Sequence, residues 1–284
     1  MPAIRDRLSA DQSQLVQTLG LAPHDARLET QLLMAAALDV NRAWLLAHDD
    51  EKLPPAVAAR YTGWLNRRLA GEPIAYIFGE KEFYGLMFKV SPAVLIPRPE
   101  TELLVDLTLA RIPEHRPCRV LDLGTGSGII AITLAKLRPL AELVAVDISP
   151  AALALAQKNA SNLEVRNVRF IESNWFEALD GVEKFDVIVS NPPYIRAVDP
   201  HLDLGDLRFE PSHALAAGTS GHSALDLIIG QAMSYMTSSG TLLLEHGYDQ
   251  GEYARDALQQ AGFRDCMTCP DLADVERVTL GAVG

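Results

Sequence analysis

From Cys118 onward the sequence alternates between short apolar runs and amphipathic stretches, and this alternation limits the fold more than any single motif. Strands are expected at 119–123, 143–147, 168–172, 186–190 and 241–245, with helices at 129–137, 151–160, 224–236 and 251–261 between or after them. Val187-Ile188-Val189 and Leu242-Leu243-Leu244 carry no polar residue at alternate positions, so these strands are covered on both faces. Strand–helix alternation then implies an α/β fold with a mostly parallel sheet and right-handed crossovers. Two final segments, 264–268 and 277–280, are read as an antiparallel hairpin, which brings the strand count to seven.

The first 74 residues follow a different period. Leu15, Leu19, Leu28, Leu32, Leu33, Ala36 and Ala37 recur at spacings of three and four, as do Val57, Tyr61, Trp64, Leu65 and Leu69. Residues 1–74 are therefore expected to form a small helical domain. From 75 to 96, Tyr76, Phe78, Phe83, Tyr84, Phe88, Val90, Val94 and Ile96 favour strand, and Gly79 and Gly85 offer turns. This segment is read as a β-hairpin linker, and 97–284 as the α/β domain, whose first helix is capped by Thr101.

Asp122-Leu123-Gly124-Thr125-Gly126-Ser127-Gly128 leaves the first strand of the α/β region and opens a helix, where doubly wound sheets bind nucleotides. The spacing is G-x-G-x-G. A dinucleotide fingerprint needs its third glycine one position later, where Ile129 stands. Adenosine carrying an amino acid suits this loop better than a pyrophosphate. Asp147 ends the next strand, where a carboxylate can accept from both ribose hydroxyls. Asn191-Pro192-Pro193-Tyr194 leaves the fourth strand at the same sheet edge. An amide nitrogen is a poor nucleophile because its lone pair is delocalised, so a catalyst must aim and polarise it. Asn191 Oδ1 can accept one N–H and the Pro192 carbonyl the other. Two prolines fix the backbone, and Tyr194 can stack on the flat group.

These motifs, with Gly71-Glu72-Pro73-Ile74-Ala75-Tyr76, Leu95-Ile96-Pro97-Arg98-Pro99-Glu100-Thr101-Glu102, Arg208-Phe209-Glu210-Pro211, Leu242-Leu243-Leu244-Glu245-His246-Gly247 and Glu276-Arg277-Val278-Thr279-Leu280-Gly281, span nearly the whole chain. Together they resemble the HemK family of class I S-adenosylmethionine (SAM) methyltransferases. The resemblance implies a seven-stranded Rossmann-like catalytic domain behind a helical substrate-docking domain. It implies methyl transfer from SAM, leaving S-adenosylhomocysteine, to the side-chain amide nitrogen of the glutamine in the Gly-Gly-Gln loop of class-1 peptide chain release factors, with no metal. By position, it implies SAM contacts from Gly124, Thr125, Gly126, Ser127, Gly128, Asp147, Asn174, Trp175 and Asn191. Glutamine would be held by Asn191, Pro192, Pro193 and Tyr194, with Asn191, Pro192 and Tyr194 as the catalytic set. At the position of Asn174 relatives often carry Asp, and an amide accepts from the adenine amino group less strongly than a carboxylate does.

Charge and composition bear on location and partners. Lys and Arg number 25 against 37 Asp and Glu, a net charge of −12, which suits neither a nucleic-acid substrate nor an acidic membrane surface. There is no run of about 18 apolar residues and no apolar segment after the polar start, so neither a membrane span nor a secretory leader is expected; the chain is taken as a cytoplasmic monomer. Three cysteines, Cys118, Cys266 and Cys269, are too few for a disulfide framework. Cys266 and Cys269 are read as ordinary strand residues, and Glu245-His246 as support for the sheet edge. Arg98 and Glu100 either line the SAM pocket or pair with each other. Three other functions compete. Acidity opposes an adenine-N6 or guanine-N2 nucleic-acid methyltransferase, the glycine spacing opposes a Rossmann oxidoreductase, and the intact 191–194 motif opposes a non-catalytic SAM-binding module.

Overall fold

A computed structural model describes residues 3–179 and 184–284. The chain separates into two compact units. One runs to Gly79 and takes in Asp203–Phe209; the other comprises Glu80–Leu202 and Glu210–Gly284.

The smaller unit is helical: α1 (Ile4–Leu19), α2 (Pro23–Leu38), α3 (Arg42–Ala47), α4 (Pro55–Leu69) and α5 (Ile74–Phe78). Pro23 and Pro55 open α2 and α4, where a missing N–H costs nothing, and the Asn41 side chain caps α3 by accepting from Trp44 N at 2.8 Å. The helices bury Ile4, Leu15, Leu33, Met34, Leu45, Tyr61 and Leu65 in one core. Trp64 packs edge-on against Phe78 at this core, while Trp44 stacks on His48. Helix α5 occupies part of the aromatic run expected to be strand. Its N–H groups start from the Pro73 carbonyl, and Ala75, Tyr76 and Ile77 are buried by a single helical turn. Local β propensity lost to that burial.

In the larger unit, β1 (Glu80–Phe83) and β2 (Leu86–Lys89) form one antiparallel hairpin, so a single hairpin remains of the segment read from 75 to 96. The main sheet contains β3 (Cys118–Leu123), β4 (Ala141–Asp147), β5 (Val168–Glu172), β6 (Phe185–Ser190), β7 (Met236–Glu245), β8 (Arg264–Pro270) and β9 (Glu276–Ala282) in the order β5-β4-β3-β6-β7-β9-β8. Strands β3 to β7 run parallel, and β9 is antiparallel to both β7 and β8. One face buries Val120, Ala145, Val187 and Leu243 with α6 (Thr101–Leu109) and α7 (Ile129–Leu137). The other buries Leu121, Val144, Ile188 and Leu242 with α10 (Ser223–Ala232) and α11 (Gly251–Gln260). Helix α8 (Pro150–Asn162) follows β4, and the short α9 (Ser212–Leu215) precedes α10. Cys266 packs on the second face and Cys269 on the first, the result of an odd spacing along a strand. The two thiols therefore point apart.

Buried charge fixes the helical unit. The Arg68 side chain is 5% exposed and reaches Glu29 at 2.7 Å and Asp206 at 3.1 Å, while also donating to the carbonyls of Gly71 and Glu72. Removing one member strands the others without a partner in low dielectric. Arg68→Ala should cost about 3 kcal/mol, near the low end for a broken buried pair because Asp206 reaches water. Hydrogen exchange of the α2 and α4 amides against denaturant measures it, and unchanged protection would contradict this account.

Candidate active site

Leu123 of β3 lies opposite Val146 of β4 on one side and Ser190 of β6 on the other. The glycine loop, Asp147 and Asn191 thus emerge side by side from the carboxyl ends of three parallel strands. Ser190 Oγ donates to the Leu123 carbonyl at 2.7 Å, tying two of these exits together. Gly124 N and Thr125 N both donate to the Val146 carbonyl at 2.9 Å, which folds the glycine loop back over β4.

The three loop glycines are left-handed, at φ 74°, 56° and 85°. At Gly126 a side chain would project into open space, so the bare backbone leaves a cradle beside the cavity. Gly126 N donates to Asp147 Oδ2 at 2.8 Å, and Ser149 N donates to Asp147 Oδ1 at 2.9 Å. Gly128 differs: a Cβ there would lie 2.6 Å from Ile132 Cδ1 and 3.2 Å from Ala156 Cβ. Its glycine serves the junction of α7 with α8.

A cavity of about 240 Å³ opens at this edge. Gly124, Thr125, Gly126, Ser127, Asp147, Asn174, Trp175, Asn191 and Pro193 all line it. Gly128, Pro192 and Tyr194 do not. Pro192 is buried behind the loop, and Tyr194 faces a neighbouring cleft with Tyr248 and Arg277. The sequence reading also missed part of the wall, contributed by Ala93, Val94, Leu95, Ile148, His213 and Ala214. Leu95 belongs to a quoted motif. Ile148, an apolar residue 58% exposed just after Asp147, is the kind of signal that could have marked a ligand face.

Neighbouring polar groups lock the walls. Asn159, fully buried, accepts from Lys89 N and donates to the carbonyls of Lys89 and Ser127. Glu210, also buried, accepts from Ile96 N at 3.0 Å and from Arg98. Arg98 therefore pairs with Glu210, not Glu100, and neither Arg98 nor Glu100 lines the cavity. Thr101 is not a cap. It is the first residue of α6, and its hydroxyl accepts from Asn191 Nδ2 at 3.1 Å. Gln250 donates to the carbonyls of Tyr194 and Gly221 and accepts from Gly247 N, which pins the 191–194 loop from behind. His246 bridges the Gly247 carbonyl and the Thr279 hydroxyl at 2.8 Å each, and burial lowers its pKa. It supports the sheet edge, as expected.

Asp122 is fully buried beneath the loop. Its Oδ2 accepts from Thr125 Oγ1 at 2.6 Å and from Ala131 N at 3.3 Å, while Oδ1 has no partner among the described residues. Burial pushes its pKa up to about 7. Asn174 Nδ2 donates to Glu177 at 2.7 Å, which turns the amide oxygen away from Glu177. Among the described residues no group of three His, Cys, Asp or Glu side chains could hold a metal ion.

Comparison with known proteins agrees with this geometry. A family model described as a methyltransferase domain matches residues 114–273, and one described as the PrmC N-terminal domain matches residues 12–79. The release factor glutamine methyltransferase of Escherichia coli is 48% identical over 260 residues, covering 92% of this chain and 93% of that protein. The enzyme of the same name from Bordetella pertussis is 47% identical over 267 residues, covering 94% and 98%. Among solved structures, a T. thermophilus 16S rRNA methyltransferase in complex with AdoMet and guanosine matches at a TM-score of 0.53 and 23% identity, covering 72% of this chain and 50% of that one, a likeness of fold.

The raised pKa of Asp122 has a stability consequence. A carboxyl that is harder to ionise when folded stabilises the protein fully below its unfolded pKa of about 3.8, and this stabilisation is lost as pH rises through about 7. The melting temperature of Asp122→Asn relative to wild type should therefore climb between pH 5 and pH 8. Ligand-free scanning calorimetry checks this, and a pH-independent difference would contradict the buried-acid account.

Proposed function

The chain belongs to the release factor glutamine methyltransferases, and from that premise we propose how its cavity performs their reaction. The methyl donor is SAM, and the acceptor is the side-chain amide nitrogen of a release-factor glutamine. When bound, SAM supplies a methyl carbon activated by positive sulfur, with S-adenosylhomocysteine as the leaving product. The site fits this group. Gly126 provides a cradle that a side chain would fill, Asp147 a carboxylate at the cavity wall, and Asn191 an amide at the junction of loop and cavity.

In this reading Gly124, Thr125, Gly126 and Ser127 hold the amino-acid portion, and Asp147 accepts from the ribose hydroxyls. Asn174 Oδ1 accepts from the adenine amino group, and Trp175 packs beside the base. Gly128 contributes through loop geometry, since its own position is taken up by helix packing. Asn191 Oδ1 and the Pro192 carbonyl accept the two N–H bonds of the glutamine and point its nitrogen at the methyl carbon. Pro193 flanks the flat amide, and Tyr194, which lines the neighbouring cleft, would have to turn toward the cavity to stack on it. Orientation supplies most of the acceleration. No strong base is needed, because a methylated amide nitrogen sheds its extra proton readily. The helical domain, residues 1–74, docks the rest of the release factor, and the 75–96 segment links it to the catalytic domain at 97–284. A monomer that acts on protein and not on nucleic acid, in the cytoplasm, suits a net charge of −12.

The observation that carries this reading is the convergence of Asp147, the glycine loop and Asn191 on one cavity. Incubation with SAM and a full-length class-1 release factor should add a single methyl group to the Gly-Gly-Gln glutamine, located by peptide mass spectrometry. The free loop peptide should react far less efficiently, and added RNA or DNA should gain no methyl. Asn191→Ala should lower kcat on the order of 10²-fold while SAM binding falls less. Label in nucleic acid but not in the release factor would overturn the function.

Asp147→Ala should weaken SAM binding by about 2–4 kcal/mol, from two lost charge-assisted hydrogen bonds partly replaced by water. The same substitution frees Gly126 N and Ser149 N, so the loop loses an anchor as well. Calorimetry with a folded mutant checks this, and unchanged affinity removes Asp147 from the site.

A further inference from the structure

Behind Asn191 lies a buried acid that the reaction as described does not use. Glu245 ends β7 and is 2% exposed; the pairing of Ser190 with Leu244 places it beside Asn191, and its carboxyl interacts with the Thr101 and Asn191 side chains. Its Oε2 has no partner among the described residues. Thr101 is wholly buried, and its oxygen also accepts from Asn191 Nδ2 at 3.1 Å. Three side chains from the start of α6, the end of β6 and the end of β7 therefore lie together, with Asn191 alone of the three reaching the cavity.

The two ends of an asparagine amide are chemically opposite: the oxygen accepts and the nitrogen donates. A substrate that offers N–H bonds needs the oxygen outward. Nothing in the shape of the amide selects that rotation, since its two ends are nearly the same size. A carboxylate does select it. Were the amide reversed, Asn191 Oδ1 would face the Glu245 carboxylate and the Thr101 oxygen to which its Nδ2 now donates. Acceptor would meet acceptor at a buried carboxylate.

We propose that Glu245, acting directly and through Thr101, is a positioning residue that locks the Asn191 amide with Oδ1 toward the substrate glutamine. This rests on Asn191 as the acceptor that aims the glutamine. An acid kept buried with an unpartnered oxygen destabilises the fold, and amide selection gives it a use that an apolar residue could not fill.

The lock depends on ionisation, because a protonated Glu245 can donate to a reversed Asn191. Burial, with Glu100 nearby, pushes its pKa up to about 7, opposed by the Thr101 hydrogen bond, by Arg277 on β9 and by the Asn191 hydrogen bond. Tyr194, close enough to feel Glu245, has its own pKa raised and stays neutral, and His246 turns instead to Gly247 and Thr279.

The test compares wild type with Glu245→Gln, Thr101→Val, Thr101→Ser, Asn191→Ala and Asn191→Ala/Glu245→Gln, using full-length release factor and methyl-labelled SAM. Glu245→Gln and Thr101→Val should each lower kcat about 10-fold or more with SAM affinity unchanged by calorimetry, and Thr101→Ser should restore most of it. The double variant should turn over no more slowly than Asn191→Ala. Wild-type kcat should rise with pH through about 7, and Glu245→Gln should lose that limb. In the ligand-free protein the Asn191 side-chain 15N resonance should titrate over the same range, and not in Glu245→Gln. If Glu245→Gln does not fold, the Thr101 pair carries the decision. Wild-type kcat in Glu245→Gln or Thr101→Val, or additive losses in the double variant, overturns the lock while Asn191→Ala stays impaired. Full turnover by Asn191→Ala would instead sink the reading of Asn191 itself.

Discussion

The parallel register around β3 sets where everything else at this site can be. Because Leu123 sits between Val146 and Ser190, three loops begin at the same height, with the glycine loop one strand spacing from each of the other two. A slip of one residue would exchange the side chains that β3 presents to the two buried faces and move Asp147 and Asn191 out of step with the glycine loop. The apolar runs that bury both faces of the sheet therefore also fix the geometry of the cavity. Packing and chemistry are specified by the same residues.

Two acids near the cavity show what that arrangement costs. Asp122 and Glu245 sit at strand ends beneath loops, each with one carboxyl oxygen lacking a partner among the described residues. Neither would be chosen for stability, since desolvating a carboxylate is unfavourable unless every lone pair is matched. Asp122 holds the hydroxyl of Thr125 at the mouth of the glycine loop, and Glu245 contacts the network behind Asn191. Strain of this electrostatic kind gathers at a site where local rules are expected to yield.

Much of this was legible in the sequence, and the failures have physical reasons. Strand–helix alternation and continuous apolar runs specify β3 to β7, and the glycine spacing with Asp147 marks the sheet edge at which the cavity opens, because close backbone approach demands a particular residue type. The helix at Ile74–Phe78 was not legible, because burial of Ala75, Tyr76 and Ile77 outweighed a strand-forming composition. Thr101 reads as a cap from sequence, since Ser and Thr before an apolar run usually are; only its tertiary neighbours reveal the contact with Asn191. The partner of Arg98 lies 112 residues away, beyond any local pattern. Gly128 fits the loop motif and yet serves a helix junction, because one residue type satisfies both demands.

Gln250 carries a consequence for how tightly a substrate can be held. Its single side-chain amide joins the loop after β6, the turn at Gly221 and the turn after β7, using its oxygen and its nitrogen at once. The backbone of Tyr194 is thus immobilised before any ligand arrives. A flexible Gly-Gly-Gln segment loses much conformational freedom when it is ordered, and a receptor that had to order its own loop as well would add to that loss. In the proposed role of the 191–194 loop as receiver, its entropy has been surrendered during folding, so only the incoming chain has to be stilled.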